Sequence, residues 1–133
     1  MNVKILMTAS SIFSGVLGIS FIFFPDEIVS YLGIEANVIT LLFFQLLSSL
    51  YLGFGILNWM AKGTLIGGIY NRPIAIGNFM HFGVGAITLV KLVFIIQVHT
   101  EIIIPLTILY AIFAIAFAYV FMTNPNKVAG GKS

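Results

Sequence analysis

Charged residues divide the chain into four long apolar runs, and only the third run is interrupted, by Lys91. Each run reaches the roughly 20 residues that a helix needs to cross the hydrocarbon core of a bilayer. Backbone groups in lipid must find their hydrogen bonds within the protein, so helix is the expected conformation. The pattern therefore predicts four membrane-spanning helices, at about residues 4–24, 36–61, 73–98 and 102–122.

Two alternative interpretations do not fit the sequence: a β-barrel formed by the four runs, and a cleaved signal peptide in the first run. Strands of a membrane barrel alternate in polarity over about 10 residues, whereas these runs are continuously apolar. A cleaved signal peptide has an apolar core of about 7–15 residues followed by a small-residue cleavage site. The first run is longer and no such site follows it, so we expect a retained helix.

Composition supports the same class of protein. Of the 133 residues, 60% are hydrophobic and 8% are charged, against about 25% charged in soluble domains. We expect an all-α polytopic membrane protein, a four-transmembrane-helix up-down bundle that forms one transmembrane domain over residues 1–133, with a flexible cytoplasmic tail at 123–133. The lack of cysteine excludes disulfides, thiolate metal ligands and thiol catalysis. The scattered basic residues form no nucleic-acid-binding patch.

The loops on the two sides of the membrane differ in charge. The side that holds both termini carries five of the six basic residues, and the other side carries all four acidic residues. Basic loops remain in the cytoplasm. We therefore expect a multi-pass protein of the cell inner membrane with both termini in the cytoplasm.

Proline and asparagine mark several predicted helix ends. Pro25 is expected to end the first helix, and Asn71 is placed to cap the third. Pro105 is expected in the first turn of the fourth helix, where proline is tolerated. Residues 26–34 and 64–70 predict short interfacial segments. In the first of them, four side chains are expected to dip into lipid: Ile28, Val29, Tyr31 and Leu32.

Small and polar residues recur every three or four positions and therefore share a helix face. On two helices they form small-residue seams, which let backbones approach closely in lipid. These seams are Thr8, Ser11, Ser14, Gly15 and Gly18 on the first helix, and Thr107, Ala111, Ala114 and Ala118 on the fourth. The other two helices carry polar stripes, namely Ser48, Tyr51, Gly55, Asn58 and Lys62 beside Gln45, and Asn78, His81, Gly85 and Thr88 followed by Lys91.

His81 is the candidate with the most chemistry, because it is the only histidine deep in a span. An intramembrane ionisable residue is a functional-site hypothesis by default, and an imidazole can relay protons or contact a ligand. The alternative is a neutral imidazole hydrogen-bonded across a helix interface, to Tyr51 or a serine. If the second and third helices pack together, His81 lies at the depth of Tyr51 and Asn78 at the depth of Asn58.

Lys91 and Gln45 lie toward the outer ends of the same two helices. Lys91 can snorkel to the interface, pair with an outer carboxylate, or anchor an anionic head group. His99 and Glu101 are too few for a zinc site, which needs three or four converging ligands. We therefore predict no metal site, no catalytic residue and a hypothetical ligand-binding set of His81, Asn78, Tyr51, Asn58, Gln45 and Lys91.

Three motifs carry a resemblance to a known family. They are Phe24-Pro25-Asp26-Glu27, Tyr51-Leu52-Gly53-Phe54-Gly55, and Tyr70-Asn71-Arg72-Pro73 leading to Asn78 and His81-Phe82-Gly83. With these motifs the chain resembles, over nearly its whole length, the DoxX-like group of small bacterial four-helix membrane proteins. The resemblance implies a four-helix bundle and a link to redox or quinone-related membrane systems. Cysteines, where such proteins use them, are absent here, which speaks against a thiol-redox role.

Three functional hypotheses follow. The preferred one is a small, non-enzymatic integral membrane protein whose bundle binds an apolar small molecule of the lipid or quinone type. The second is an accessory or assembly subunit of a larger membrane complex. The third is a proton-coupled carrier or membrane enzyme that uses His81 as its acid–base group. The expected partners are the lipid bilayer, an apolar ligand, and further copies of the chain or a membrane complex, without nucleic acid; the sequence identifies no cofactor.

Overall fold

A computed structural model describes residues 2–64 and 71–123, and within these ranges the protein is all-helical, without strands. Four of its helices are long and apolar enough to cross a membrane. The predicted fold class, an all-α polytopic protein with four membrane-spanning helices, is therefore confirmed. The five helices are α1 (Val3–Phe23), α2 (Pro25–Leu32), α3 (Val38–Ala61), α4 (Arg72–Val93) and α5 (Thr100–Met122).

Proline and glycine set the ends of the short helix α2. Pro25 follows the end of α1, as predicted, and occupies the first turn of α2, where its missing N–H costs nothing. Gly33 ends α2 in the left-handed conformation with φ of 70°, which glycine adopts without a Cβ penalty. The predicted interfacial segment at residues 26–34 is thus largely helical.

One detail of the α2 prediction is wrong. Val29 was expected to dip into lipid, but its side chain is fully buried within the protein. Tyr31 is 45% exposed, as an interfacial residue would be. The eight-residue helix has one buried face, and a single apolar stretch could not reveal which of its side chains would occupy that face.

Asparagine begins two of the long helices in different ways. The Asn37 side chain accepts a hydrogen bond from the Thr40 backbone N–H at 2.9 Å, which satisfies a free donor of the first turn of α3. Asn71 lies at the predicted N-cap position of α4, but its side chain makes no capping hydrogen bond. The second predicted span, α3, begins at Val38, two residues later than predicted, and the pattern of apolar residues did not indicate its cap at Asn37.

The turn between α4 and α5 corrects the predicted ends of both helices. The third span was expected to reach Val98, but α4 ends at Val93 because the chain turns there, although the sequence stays apolar. His99 adopts φ of 56° in the turn, and α5 begins at Thr100. Pro105 is consequently the sixth residue of α5, in its second turn and not its first.

The helices group into two compact units. Residues 7–62 form the first unit, which contains most of α1 together with α2 and α3. The second unit contains α4 and α5, and the first turn of α1 groups with it. Each unit holds one antiparallel pair of long helices, called here the α1–α3 pair and the α4–α5 pair. Residues 65–70 of the predicted interfacial segment and 124–133 of the predicted tail lie outside the described residues.

Candidate functional site

The polar stripe predicted on the second span is the buried face of α3. Its inward members include Ser48, Tyr51, Gly55 and Asn58, none of which is more than slightly exposed. A helix in lipid needs no apolar face toward its neighbour, so small and polar side chains gather where helices meet. The residues of the stripe therefore lie where their spacing placed them.

Two hydrogen bonds cross the interface of the α1–α3 pair at different depths. The Ser11 hydroxyl donates to the Gly55 carbonyl oxygen at 2.6 Å. Further along the pair, the Ser48 hydroxyl donates to the Gly18 carbonyl oxygen at 2.7 Å. One bond has its donor on α1 and the other on α3. Because the two bonds lie about two turns apart along each helix, they fix the register of α1 against α3.

Asn58 belongs to the same interface. Its side-chain amide donates to the Ser10 hydroxyl at 3.0 Å, and both side chains are fully buried. Ser10 in turn donates to the Met7 carbonyl oxygen at 3.1 Å. The position of Ser10 was missed in the sequence, although it lies four residues before Ser14 and so shares its helix face.

Tyr51 contributes its ring to the packing of this pair. The ring lies 5.6 Å from that of Phe21 in an edge-to-face arrangement, which is a favoured geometry for aromatic pairs. Together with the hydrogen bond of Asn58, this contact gives two of the predicted ligand-binding residues a role in holding α1 against α3. Asn58 therefore makes a hydrogen bond between two helices, a packing role that needs no ligand.

Aromatic rings form the interface of the α4–α5 pair. Phe82 is fully buried, with its ring stacked on Phe117 at 5.8 Å and tilted against Phe113 at 4.8 Å. On α5 the buried positions are Tyr110, Phe113, Phe117 and Val120. The predicted small-residue seam of this helix is half-buried beside the aromatic face, so the fully buried contact with α4 is made by rings and not by the alanines. The spacing of Tyr110, Phe113 and Phe117, at three and then four residues, is the signal that was missed.

His81 lies at the edge of this aromatic interface. Its ring centroid is 4.8 Å from that of Phe82 and 5.8 Å from that of Tyr110. The side chain is half-buried. Nine residues separate His81 from Arg72 at the start of α4, so it lies about 14 Å into the helix at 1.5 Å per residue. That depth is close to the middle of a hydrocarbon core of about 30 Å.

Close contact between the two helices is required next to this histidine. A Cβ atom added to Gly85 would overlap the ring of Tyr110. Gly85 is one turn from His81 on the same face. The absence of a side chain at residue 85 thus lets Tyr110 approach α4 and lie beside the imidazole.

The remaining predicted ligand-binding residues differ in their surroundings. Asn78 is fully buried, and its amide donates to the Ile74 carbonyl oxygen of its own helix at 2.9 Å. Gln45 and Lys91 are exposed. Tyr51, Asn58 and Gln45 belong to one unit and the other three to the second, so the predicted layering of α3 side chains against those of α4 stays a prediction.

Within residues 2–64 and 71–123, no three histidine or acidic side chains converge as metal ligands. His99 and Glu101 approach each other, with Nδ1 3.8 Å from Oε1. A scan against protein-family models finds no match, and no curated protein and no solved structure matches the chain. The resemblance to DoxX-like proteins therefore stays a prediction.

Proposed function

We propose that this chain is a small, non-enzymatic membrane protein that binds an apolar molecule of the lipid or quinone type, with His81 as its polar contact. The observation that carries the proposal is the position of His81, a half-buried imidazole about 14 Å into a membrane-spanning helix. Polar groups at this depth are costly and are retained where they contact a partner.

The surroundings of His81 suit a flat or apolar ligand. Phe82 and Tyr110 present aromatic rings beside the imidazole. Small-molecule sites are typically apolar and aromatic, with few polar groups that orient the ligand. A quinone carbonyl or a lipid ester oxygen could accept a hydrogen bond from an imidazole N–H while the aromatic rings contact the rest of the molecule.

The proposal concentrates the binding role on fewer residues than the sequence indicated. Asn58 donates to Ser10 and Asn78 donates to its own helix, so both have a packing role that does not need a ligand. Lys91 is exposed in the last turn of α4, where its long side chain can reach the interface. We retain it as a contact for a head group and not for the ring of a ligand.

We further propose the cell inner membrane as the location and the cytoplasm as the side of both termini. The charge difference between the loops supports this orientation, because basic loops remain in the cytoplasm. The resemblance to DoxX-like proteins supports a quinone as the ligand to be tested first.

The substitution His81→Phe tests the proposal. Phenylalanine keeps a ring against Phe82 and Tyr110 but removes both nitrogens, so packing is conserved and the hydrogen bond is lost. Thermal unfolding of the purified protein in mild detergent would be measured with and without decylubiquinone as the probe. The unmodified protein should be stabilised by the quinone, because a ligand that binds only the folded state raises stability by about 2.7 kcal/mol at a hundredfold excess over Kd. The variant should show little of this shift.

Thr88→Val is the matched control for that experiment. Thr88 lies on the same helix and its hydroxyl donates to the Val84 carbonyl oxygen of α4 itself. The control removes one polar group from the span without touching His81, so its response to the quinone should equal that of the unmodified protein. Equal stabilisation of the His81→Phe variant would show that the imidazole contacts no quinone. A repeat with phospholipid as the probe then decides whether any apolar ligand depends on it.

The subunit hypothesis has less support after the helix faces are known. It depended on the small-residue seams of α1 and α5 as docking surfaces for foreign helices. On the α1 seam, Ser11 and Gly18 form hydrogen bonds with α3 of the same chain, whereas the α5 seam is half-buried beside the aromatic face. The carrier or enzyme hypothesis needs a second acid–base group near His81, and Tyr110 brings a ring with a hydroxyl beside the imidazole.

A further inference from the structure

An open groove lies on the surface of the α1–α3 pair. Its volume is about 230 Å³. It exists because Gly15 and Gly55 bring no side chains to the place where the helices come closest. The lining residues are Ser11, Gly15, Leu52, Gly55, Ile56 and Trp59.

One end of this groove carries a positive charge. The Lys62 ammonium nitrogen lies 2.9 Å from the centroid of the Trp59 ring, over its face. Tryptophan and lysine at the end of a span lie at the level of the lipid head groups. The groove thus leads from the head-group region, at Trp59, toward the apolar interior of the bilayer.

No acidic residue of the same unit is close to Lys62. The three acids of this unit, Asp26, Glu27 and Glu35, precede α3, while Lys62 follows its last residue. The 24 residues of α3 span about 36 Å. The ammonium group is therefore available to an anion at the membrane surface, apart from its contact with the ring of Trp59.

The side chains around the groove favour a lipid chain over another helix as its occupant. Two large side chains that line the groove are strongly exposed, Ile56 at 62% and Trp59 at 50%. Helices associate closely in membranes where small residues let their backbones meet. Here large exposed side chains stand beside the glycines of the groove, which favours a flexible acyl chain over the close approach of a second helix.

We propose that the groove binds one acyl chain of an anionic phospholipid, whose phosphate is contacted by Lys62. Lysine binds phosphate as a point charge, and the contact with the ring of Trp59, which lines the groove, holds the ammonium group near that end. The proposal goes beyond the ligand role of His81, because no residue of the α4–α5 pair takes part in it.

Native mass spectrometry of the protein from nanodiscs of equal parts phosphatidylglycerol and phosphatidylcholine tests the proposal. A Cβ at Gly15 would meet no atom within 4 Å, so Gly15→Leu can fill the groove without separating α1 from α3. Gly53→Leu is the matched control, since Gly53 also has open space around its Cβ but does not line the groove. The unmodified protein and the control should retain one phosphatidylglycerol, and most Gly15→Leu molecules should retain none.

A second variant keeps the test decisive if Gly15→Leu does not fold. Lys62→Gln should lower the preference for phosphatidylglycerol over phosphatidylcholine about fivefold, the size expected for one basic residue near a membrane surface. Lys62→Arg keeps the positive charge at the same position and should leave the preference nearly unchanged.

Three results would overturn the proposal. The first is equal lipid retention by the Gly15→Leu and Gly53→Leu variants. The second is an unchanged lipid preference in Lys62→Gln. The third is a dimer that Gly15→Leu converts to a monomer, since the groove would then bind a second copy of the chain. His81→Phe should leave the groove lipid in place, so failure of the quinone hypothesis can be told apart from failure of this one.

Discussion

Gly55→Leu should force α1 and α3 apart. Gly55 is buried, and a Cβ atom at this position would lie 3.2 Å from the Gly15 backbone nitrogen and 3.3 Å from the Ser11 carbonyl oxygen. Both atoms belong to the backbone of the neighbouring helix, which cannot rotate away as the end of a side chain can. The other three carbons of leucine fit only if the helices separate.

The cost has two parts. Inserting methylene groups into a well-packed interface typically costs about 1–3 kcal/mol. Separation also breaks the hydrogen bond from Ser11 to the Gly55 carbonyl oxygen, now 2.6 Å long, and one such bond in a membrane protein averages about 0.6 kcal/mol, with a maximum of about 1.7. We therefore expect a loss of about 2–4 kcal/mol in the free energy of unfolding.

Equilibrium unfolding in mixed micelles of dodecyl maltoside and dodecyl sulfate, followed by circular dichroism, measures this loss. Gly53→Leu is again the control, because a Cβ at Gly53 meets no atom within 4 Å. Both substitutions replace a helical glycine and so gain a similar amount, up to about 1 kcal/mol, in helix propensity. Their difference isolates the packing of the pair. If both variants unfolded at the same dodecyl sulfate fraction, the close approach of the helices would not be what stabilises them.

Further predictions concern the second helix pair, a buried hydrogen bond and the topology. Gly85→Ala should destabilise the protein by about 1–3 kcal/mol, because its Cβ would overlap the ring of Tyr110, and Tyr110→Ala in the same chain should remove most of that penalty; a purely additive pair would contradict the overlap. A double-mutant cycle of Asn58→Leu and Ser10→Ala in the same micelle assay should give a coupling of about 0.6 kcal/mol or more, from the bond between these side chains; zero coupling would show that the bond does not stabilise the fold. Single cysteines placed in either terminal segment should both be labelled from the cytoplasmic side only, as the loop charges predict, and labelling from opposite sides would exclude an even number of spans.

The existence and approximate length of the spans could be read from the sequence. Charged residues are so costly in hydrocarbon that their positions bound the four apolar runs, and four long helices occupy those runs. The inward face of α3 was also predictable, because the polar residues Ser48, Tyr51 and Asn58 have the spacing of one helix face and are buried. In both cases polarity differs from position to position along the chain. Because polar groups are costly in hydrocarbon, this difference determines which residues can face lipid.

Only the tertiary structure decided the features in which polarity does not vary. Residues 94–98 are nearly as apolar as the helix before them, so the end of α4 at Val93 depends on the turn into α5. The inward face of α5 consists of aromatic rings, and its outward face is equally apolar, with Ile115 at 72% exposure. Since lipid and protein interior are similar solvents for such side chains, shape alone selects the buried face. The α1–α3 groove follows from the same cause, because the place where two glycine-bearing helices leave open space is set by their packing and not by their hydropathy.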